Sequence, residues 1–312
     1  MGGLDDDVDL PQLLLIGSGI YSGLTTALHP LNVIKTRQQA SAAADPDRLM
    51  LVRSLIRSHG VRGLWAGIVP VLAGALPARA GYILALEGSR PWLKQTAQQA
   101  GLQGPSAEAV SHGGAGLAAA LTSLLLYVPA DVVSQRLMVT AAGEGTSLLG
   151  EMSAIRRESG LLGFFRGFGI SAATGLPAGA IWWATYGTCR PALPGLVGPS
   201  APELLQSWMA ATAAAAATVA AVAPLDTIKT QVQLAPTAQP ATRVAARIVR
   251  EGGLLSLYAG SLPRLVHLSL WGTALIVVYE ELKRLCKKTP SQAKLVRRVS
   301  QPLPSVLADG DE

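Results

Sequence analysis

The chain has 312 residues, 49% of them hydrophobic and 15% charged, with a mean hydropathy of +0.34, whereas an ordinary soluble domain carries about 25% charged residues. Too little charge is present to coat a water-facing surface, which weighs against the alternative of a soluble all-helical core. The net charge of +6 and pI near 9.5 do not indicate a nucleic-acid binder, because the bases sit in particular connections and form no single stripe.

In chain order, Met1 to Leu10 is acidic, with Asp5, Asp6, Asp7 and Asp9, and has neither the apolar core of a signal peptide nor the Arg-rich amphipathic character of a transit peptide. Targeting information is therefore expected to be internal. Asp6 stands where myristoylation needs Ser or Thr. Apolar stretches follow near 12–34, 66–93, 110–133, 168–189, 205–225 and 262–282, each close to the ~20 residues of a bilayer-spanning helix. Their Gly and Pro interruptions fit helices with one face toward water and the rest toward lipid or protein. After the first, third and fifth stretches come base clusters: Arg48, Arg53, Arg57 and Arg62; Arg156 and Arg157; Arg243, Arg247 and Arg250. The positive-inside rule puts these loops on the matrix-equivalent side and both termini across the membrane. Cys189 and Cys286 are isolated, so no disulfide framework and no metal site is expected.

The chain repeats itself three times. Pro30 to Lys35, Pro129 to Ser134 and Pro224 to Lys229 superpose, their prolines 99 and 95 residues apart. Glycine-aromatic-glycine elements follow: Gly60, Gly63, Trp65, Gly67; Gly160, Gly163, Phe165, Gly167; Gly253, Ser256, Tyr258, Gly260. A third element reads Leu86-Glu87 with Arg90, Tyr186-Gly187 with Arg190, and Tyr279-Glu280 with Lys283. Each repeat is thus span, amphipathic loop helix, span, with loop helices at 47–58, 147–158 and 240–251, where Leu49, Val52, Leu55 and Ile56 take helical spacing and Arg53 and Arg57 turn away. The expected fold is an all-α membrane protein of six transmembrane helices in three pseudo-symmetric repeats. It comprises an acidic segment (1–9), three repeats (10–98, 105–197 and 202–288) and a polar tail (289–312) expected to lack a packed core.

Over residues 10–288 the sequence resembles the mitochondrial carrier family, whose signature is a proline, an acid two residues later and a base three further on, in three copies. More narrowly, Val128 to Gln135, with Ser134 in place of a base, and Ala180 to Trp183 look like the subgroup that includes the branched-chain amino-acid carrier of mitochondria.

The resemblance implies alternating access across the mitochondrial inner membrane, with both termini toward the intermembrane space. Pro30, Pro129 and Pro224 are the expected helix kinks. In the matrix gate Asp131 would pair with Lys229 and Asp226 with Lys35, a neutral Asn32–Ser134 hydrogen bond would replace the third pair, and Gln39 and Gln233 would brace the ring where Met138 cannot. In the cytosolic gate Glu87 would pair with Arg190 and Glu280 with Arg90, leaving Lys283 opposite Gly187. The implied partners are a small-molecule substrate and membrane lipid, cardiolipin among them. A monomer is implied, with no cofactor, no metal and no nucleic acid.

For the substrate, Arg79 lies eleven residues before Arg90, roughly 20° off the same helix face, and a guanidinium there suits a carboxylate. The alternative pairs Arg79 with a protein carbonyl or carboxylate. Family contact positions fall on Gly74, on Thr174 with Gly175, and on His267 with Leu268. Trp182 adds an apolar wall by its phase with Tyr82, or else serves packing, as His267 also does in its alternative reading. Tyr21 and Thr25 offer polar contacts. One cation among small and apolar side chains argues against nucleotides and di- or tricarboxylates and fits a neutral apolar, branched-chain amino acid or related monocarboxylate. No enzyme motif emerges. The altered gate links and Leu270, which replaces the sixth-span proline, leave two alternatives: a non-transporting membrane adaptor with the carrier fold, and a proton-leak carrier.

Overall fold

A computed structural model describes residues 10–41, 48–140, 147–198, 200–235, 237 and 239–285. Among the described residues there are nine α-helices: α1 (Leu10–Ala40), α2 (Arg48–His59), α3 (Ile68–Gln99), α4 (Pro105–Thr140), α5 (Leu148–Ser159), α6 (Phe168–Val197), α7 (Glu203–Leu234), α8 (Ala241–Gly252) and α9 (Ser261–Leu285). Each repeat contributes a long helix, a short one, a 3-10 turn and a second long helix. Residues 24–273 form one compact unit, and residues 10–23 and 274–285 belong to another. The geometry below concerns the first.

The six long helices are Ala-, Leu- and Val-rich, and five of them carry proline beyond the first turn: Pro30 in α1, Pro77 and Pro91 in α3, Pro129 in α4, Pro177, Pro191 and Pro194 in α6, and Pro224 in α7. A proline inside a helix removes one backbone hydrogen bond and bends the axis. By length and composition, Val61–Gln99, Ser106–Thr140 and Glu203–Leu234 are long and apolar enough to cross a membrane. Leu84, Val69, Leu204 and Leu125 remain largely exposed, which fits a surface whose solvent is hydrocarbon. The interhelical faces use small residues. A Cβ on Gly74 would stand 2.4 Å from Ala130 Cβ, and one on Gly81 2.4 Å from Leu126 Cδ1, so α3 and α4 pack at the closest approach glycine permits.

The short helices each start one residue later than the hydrophobic spacing predicts. Ser147 caps α5, its hydroxyl accepting the Gly150 amide at 3.0 Å, which satisfies one of the free N–H groups of the first turn. Their buried faces join the preceding long helix in three small cores: Val33 and Leu55 with Met138; Val128, Val132, Val133 and Leu137 with Ile155; and Ile228 and Val232 with Val244 and Ile248. Each such side chain contributes about 1.5–3 kcal/mol on burial. On α2, Leu55 is buried but Ile56 is exposed; the side chains of Leu49 and Val52 lie outside the described residues.

After each 3-10 turn the chain passes through a glycine of positive φ: Gly67 (77°), Gly167 (74°) and Gly260 (71°). Sterics set the choice as much as φ does. A Cβ would meet Ser134 O at 2.6 Å from Gly67, Gln233 Cγ at 3.0 Å from Gly167, and Lys35 O at 2.9 Å from Gly260. Repeat 1 therefore seats on repeat 2, repeat 2 on repeat 3, and repeat 3 on repeat 1, always just beyond the kink proline.

Candidate functional site

The residues after the three prolines meet in one polar network. Asp226, buried on α7, receives Lys35 Nζ at 2.6 Å, Gln39 Nε2 at 2.9 Å and the guanidinium of Arg264. Asp131 on α4 receives Lys229 Nζ at 2.8 Å, Gln135 Nε2 at 3.1 Å and Gln233 Nε2 at 3.2 Å. The glutamines extend the network: Thr230 donates to Gln39 Oε1 at 2.8 Å, Gln231 to Gln39 O at 3.0 Å, and Gln135 to Gln233 Oε1 at 2.6 Å. Lys35 with Asp226, Lys229 with Asp131, and Gln39 and Gln233 on the two carboxylates are the contacts expected of those residues.

Arg264 was not singled out from sequence. It stands four residues after Gly260, where the other repeats carry Val71 and Ser171, so the available signal was a break in the threefold pattern. With it, three cations (Lys35, Lys229, Arg264) face two carboxylates (Asp131, Asp226). A site with surplus positive charge, largely shielded from water, favours an anionic group more than a bulk-water estimate suggests.

The expected Asn32–Ser134 hydrogen bond is absent. Ser134 is fully buried and donates to Gly67 O at 2.8 Å, while Asn32 Nδ2 lies 3.4 Å from His267 Nε2. The seating of Gly67 against Ser134 draws the hydroxyl onto the glycine carbonyl. Repeats 1 and 2 are tied instead by Arg37 Nε donating to Met138 O at 2.7 Å. Sequence reading also missed Arg136, buried on α4 and bonded to Glu151 at 3.2 Å and Glu158 at 2.6 Å on α5; both acids lie outside the repeated motifs.

Toward the other ends of the helices the expected Glu87–Arg190 pair is not made. Arg190 donates to Gln206 Oε1 at 2.6 Å, Arg90 lies 2.7 Å from His112 Nε2, and Glu87 is exposed. Among the described residues no ion pair joins Glu87 to Arg190. The side chains of Glu280 and Lys283 lie outside the described residues.

Between these levels, Gly74 proves to be a packing residue in the α3–α4 interface and not a contact open to solute. Thr174 is likewise buried, its hydroxyl donating to Ile170 O in its own helix at 2.6 Å. Gly175 faces open space, Leu268 and His267 are half-buried, and the His267 ring lies parallel to Trp271 at 6.0 Å. Thr25 is buried and Tyr21 half-buried. Arg79 is exposed. Counted from Gly67, Gly167 and Gly260, the twelfth residue is Arg79, Gly179 and Gly272; one guanidinium therefore shares its level with two glycines. Trp182 stacks on Tyr186 at 5.2 Å and 3°, and its ring lies against Gly272.

The sequence matches the family model described as mitochondrial carrier protein three times, over residues 7–97, 105–195 and 200–290. It is similar to a mitochondrial S-adenosylmethionine carrier protein of Xenopus laevis, 24% identical over 280 residues, 88% of this chain and 97% of the relative. It is similar also to mitochondrial thiamine pyrophosphate carrier 1 of Eremothecium gossypii, 32% identical over 301 residues, 87% of each chain. A calcium-binding mitochondrial carrier protein of Dictyostelium discoideum is 28% identical over 270 residues, which span 83% of this chain and 33% of that longer one. Three matches at the positions of the three repeats, covering most of the chain, settle the family: this protein belongs to the mitochondrial carriers.

Proposed function

We propose that the protein moves a small monocarboxylate or a neutral apolar, branched-chain amino acid across the mitochondrial inner membrane by alternating access, with both termini toward the intermembrane space. The observation that carries the substrate class is the level of Arg79, where the other two repeats place Gly179 and Gly272. A single guanidinium presents five donors, enough to serve a solute carboxylate besides its contacts within the protein. Di- and tricarboxylates call for further cations, and the equivalent positions hold none.

Gating follows from the two charged levels. Lys35–Asp226 and Lys229–Asp131 are closed at the matrix end, while Arg190 is held by Gln206 and Arg90 by His112 at the other. This is the arrangement of a carrier open toward the intermembrane space. When the matrix pairs part, Glu87 and Glu280 take Arg190 and Arg90, and the loss of one set is offset by formation of the other. The Gly74 and Thr174 positions shape the helices around the path, and His267, Leu268 and Gly175 line it. A cleft of about 260 Å³ bordered by Arg166, Gly167 and Gln239 lies at the start of α6, and we assign it to a membrane lipid headgroup.

A second reading is favoured by the relatives, two of which are named for S-adenosylmethionine and thiamine pyrophosphate: the Trp182–Tyr186 stack would then hold a heterocyclic ring. Uptake into liposomes of leucine, its keto acid, malate, ADP, S-adenosylmethionine and thiamine pyrophosphate, by wild type and Arg79→Ala, decides between them. Saturable leucine or keto-acid uptake that is lost in the variant supports the proposal. Uptake only of the larger cofactors supports the second reading. No uptake of any solute favours the adaptor, and a proton current without solute the leak carrier.

A further inference from the structure

Gly175, Gly179, Trp182 and Tyr186 are spaced four, three and four residues apart on α6, which sets them in one stripe along the helix. Added Cβ atoms at Gly175 and Gly179 would meet nothing within 4 Å, so this stripe begins in open space. It ends at the indole of Trp182, braced by the parallel Tyr186 ring and by the edge-on Trp183 ring at 4.8 Å. The indole does not lie along its own helix. A Cβ on Gly272 of α9 would stand 2.5 Å from Trp182 Cζ2 and 3.4 Å from Ala211 Cβ of α7. The ring tip thus reaches from α6 to the seam where α9 meets α7. Ala210, Ala211, Ala214 and Ala215, the smallest side chains available, are fully buried on α7, and Gly272 leaves the ring the space a side chain would fill.

We propose that Trp182 sets the width of the solute path. Its indole, laid against Gly272 at the level of Arg79, closes off that repeat's share of the cross-section and confines transport to solutes without a bulky ring system. The remaining opening is bounded by the Arg79 guanidinium and by Gly179, which together accept a carboxylate and a short aliphatic chain. Trp182 acts here as a specificity-determining residue, and Gly272 as the residue that positions it. This inference rests on the transport reading above and deepens it, since it excludes the larger solutes by shape.

Two measurements test it, and they fail separately from the transport reading. In liposomes, wild type is expected to take up leucine or its keto acid and to exclude S-adenosylmethionine, whereas Trp182→Ala and the milder Trp182→Leu admit S-adenosylmethionine. Gly272→Ala, whose methyl displaces the indole, is expected to lose leucine uptake in the wild-type background and to regain it when combined with Trp182→Ala. Uptake of S-adenosylmethionine by the wild type overturns the inference and leaves transport standing. The second measurement needs no substrate: Ala211→Cys, in a background of Cys189→Ser and Cys286→Ser, is treated with a charged, water-soluble thiol reagent. The thiol is expected to stay unlabelled under the indole and to become labelled with Trp182→Ala or Trp182→Leu. Equal labelling with and without the indole, or none in either, overturns the inference even if no transported solute has been found.

Discussion

Asp226→Asn removes the one carboxylate that Lys35, Arg264 and Gln39 share. The Asp226, Lys35 and Arg264 side chains are only 6%, 20% and 12% exposed, so the two cations left behind cannot turn fully into water. Breaking a buried ion pair from one side costs about 3–5 kcal/mol, because the remaining charge stays uncompensated. Repulsion between two cations about 4 Å apart, at the effective dielectric of such a site, is of similar size, about 4 kcal/mol. Arg264→Gln is the informative contrast. It deletes the surplus cation and leaves Lys35 and Asp226 as a one-to-one pair, so its expected effect is about 1 kcal/mol or less, the size of one hydrogen bond. Thermal unfolding of the purified variants in detergent reads the difference, with Asp226→Asn melting well below both wild type and Arg264→Gln. On the gating proposed above the carrier's resting conformation should shift as well; a loss of 3 kcal/mol is about a hundredfold in that equilibrium. Equal melting of Asp226→Asn and wild type, or an Arg264→Gln loss as large as that of Asp226→Asn, would refute the shared-carboxylate reasoning.

Three further outcomes follow from the same geometry. Asp131→Lys and Lys229→Asp should each lower the melting temperature and transport, and the double exchange should recover most of both, because the Gln135 and Gln233 amides can turn to present oxygen in place of nitrogen. A double-mutant cycle on unfolding measures the coupling. Gly74→Val forces a branched side chain into the 2.4 Å approach to Ala130 and should destabilise by about 1–3 kcal/mol through overpacking, whereas Gly175→Ala, in open space, should melt like wild type. Arg136→Ala leaves Glu151 buried without its 3.2 Å partner and should cost about 3–5 kcal/mol; proteolysis would then cut first around α5, and Arg136→Ala/Glu151→Leu should recover part of the loss.

The repeats were legible because order and spacing recur three times: three prolines, three return glycines and the acid–base steps between them predict the helix order, and the family resemblance those motifs carry implies the Lys35–Asp226 and Lys229–Asp131 pairs without any coordinates. Such information is local, carried by residues within one motif and by its copies. The fate of the exceptions was not. Asn32 stands at the acid position of its motif and Ser134 at the base position of the next, yet Ser134 turns to Gly67 O and Asn32 to His267, because the packing of one repeat's glycine turn on the next repeat's helix decides which acceptor lies nearest. Arg264 and Arg136 break the pattern, so no periodicity could assign them partners; only the folded chain brings Asp226 and Glu151 to them. Gly74 and Gly175 read alike as small residues at contact positions, and tertiary packing alone separates the one pressed on Ala130 from the one facing open space. Periodicity determines which residues share a face; what that face meets depends on helices distant in the chain, and that only the tertiary structure decided.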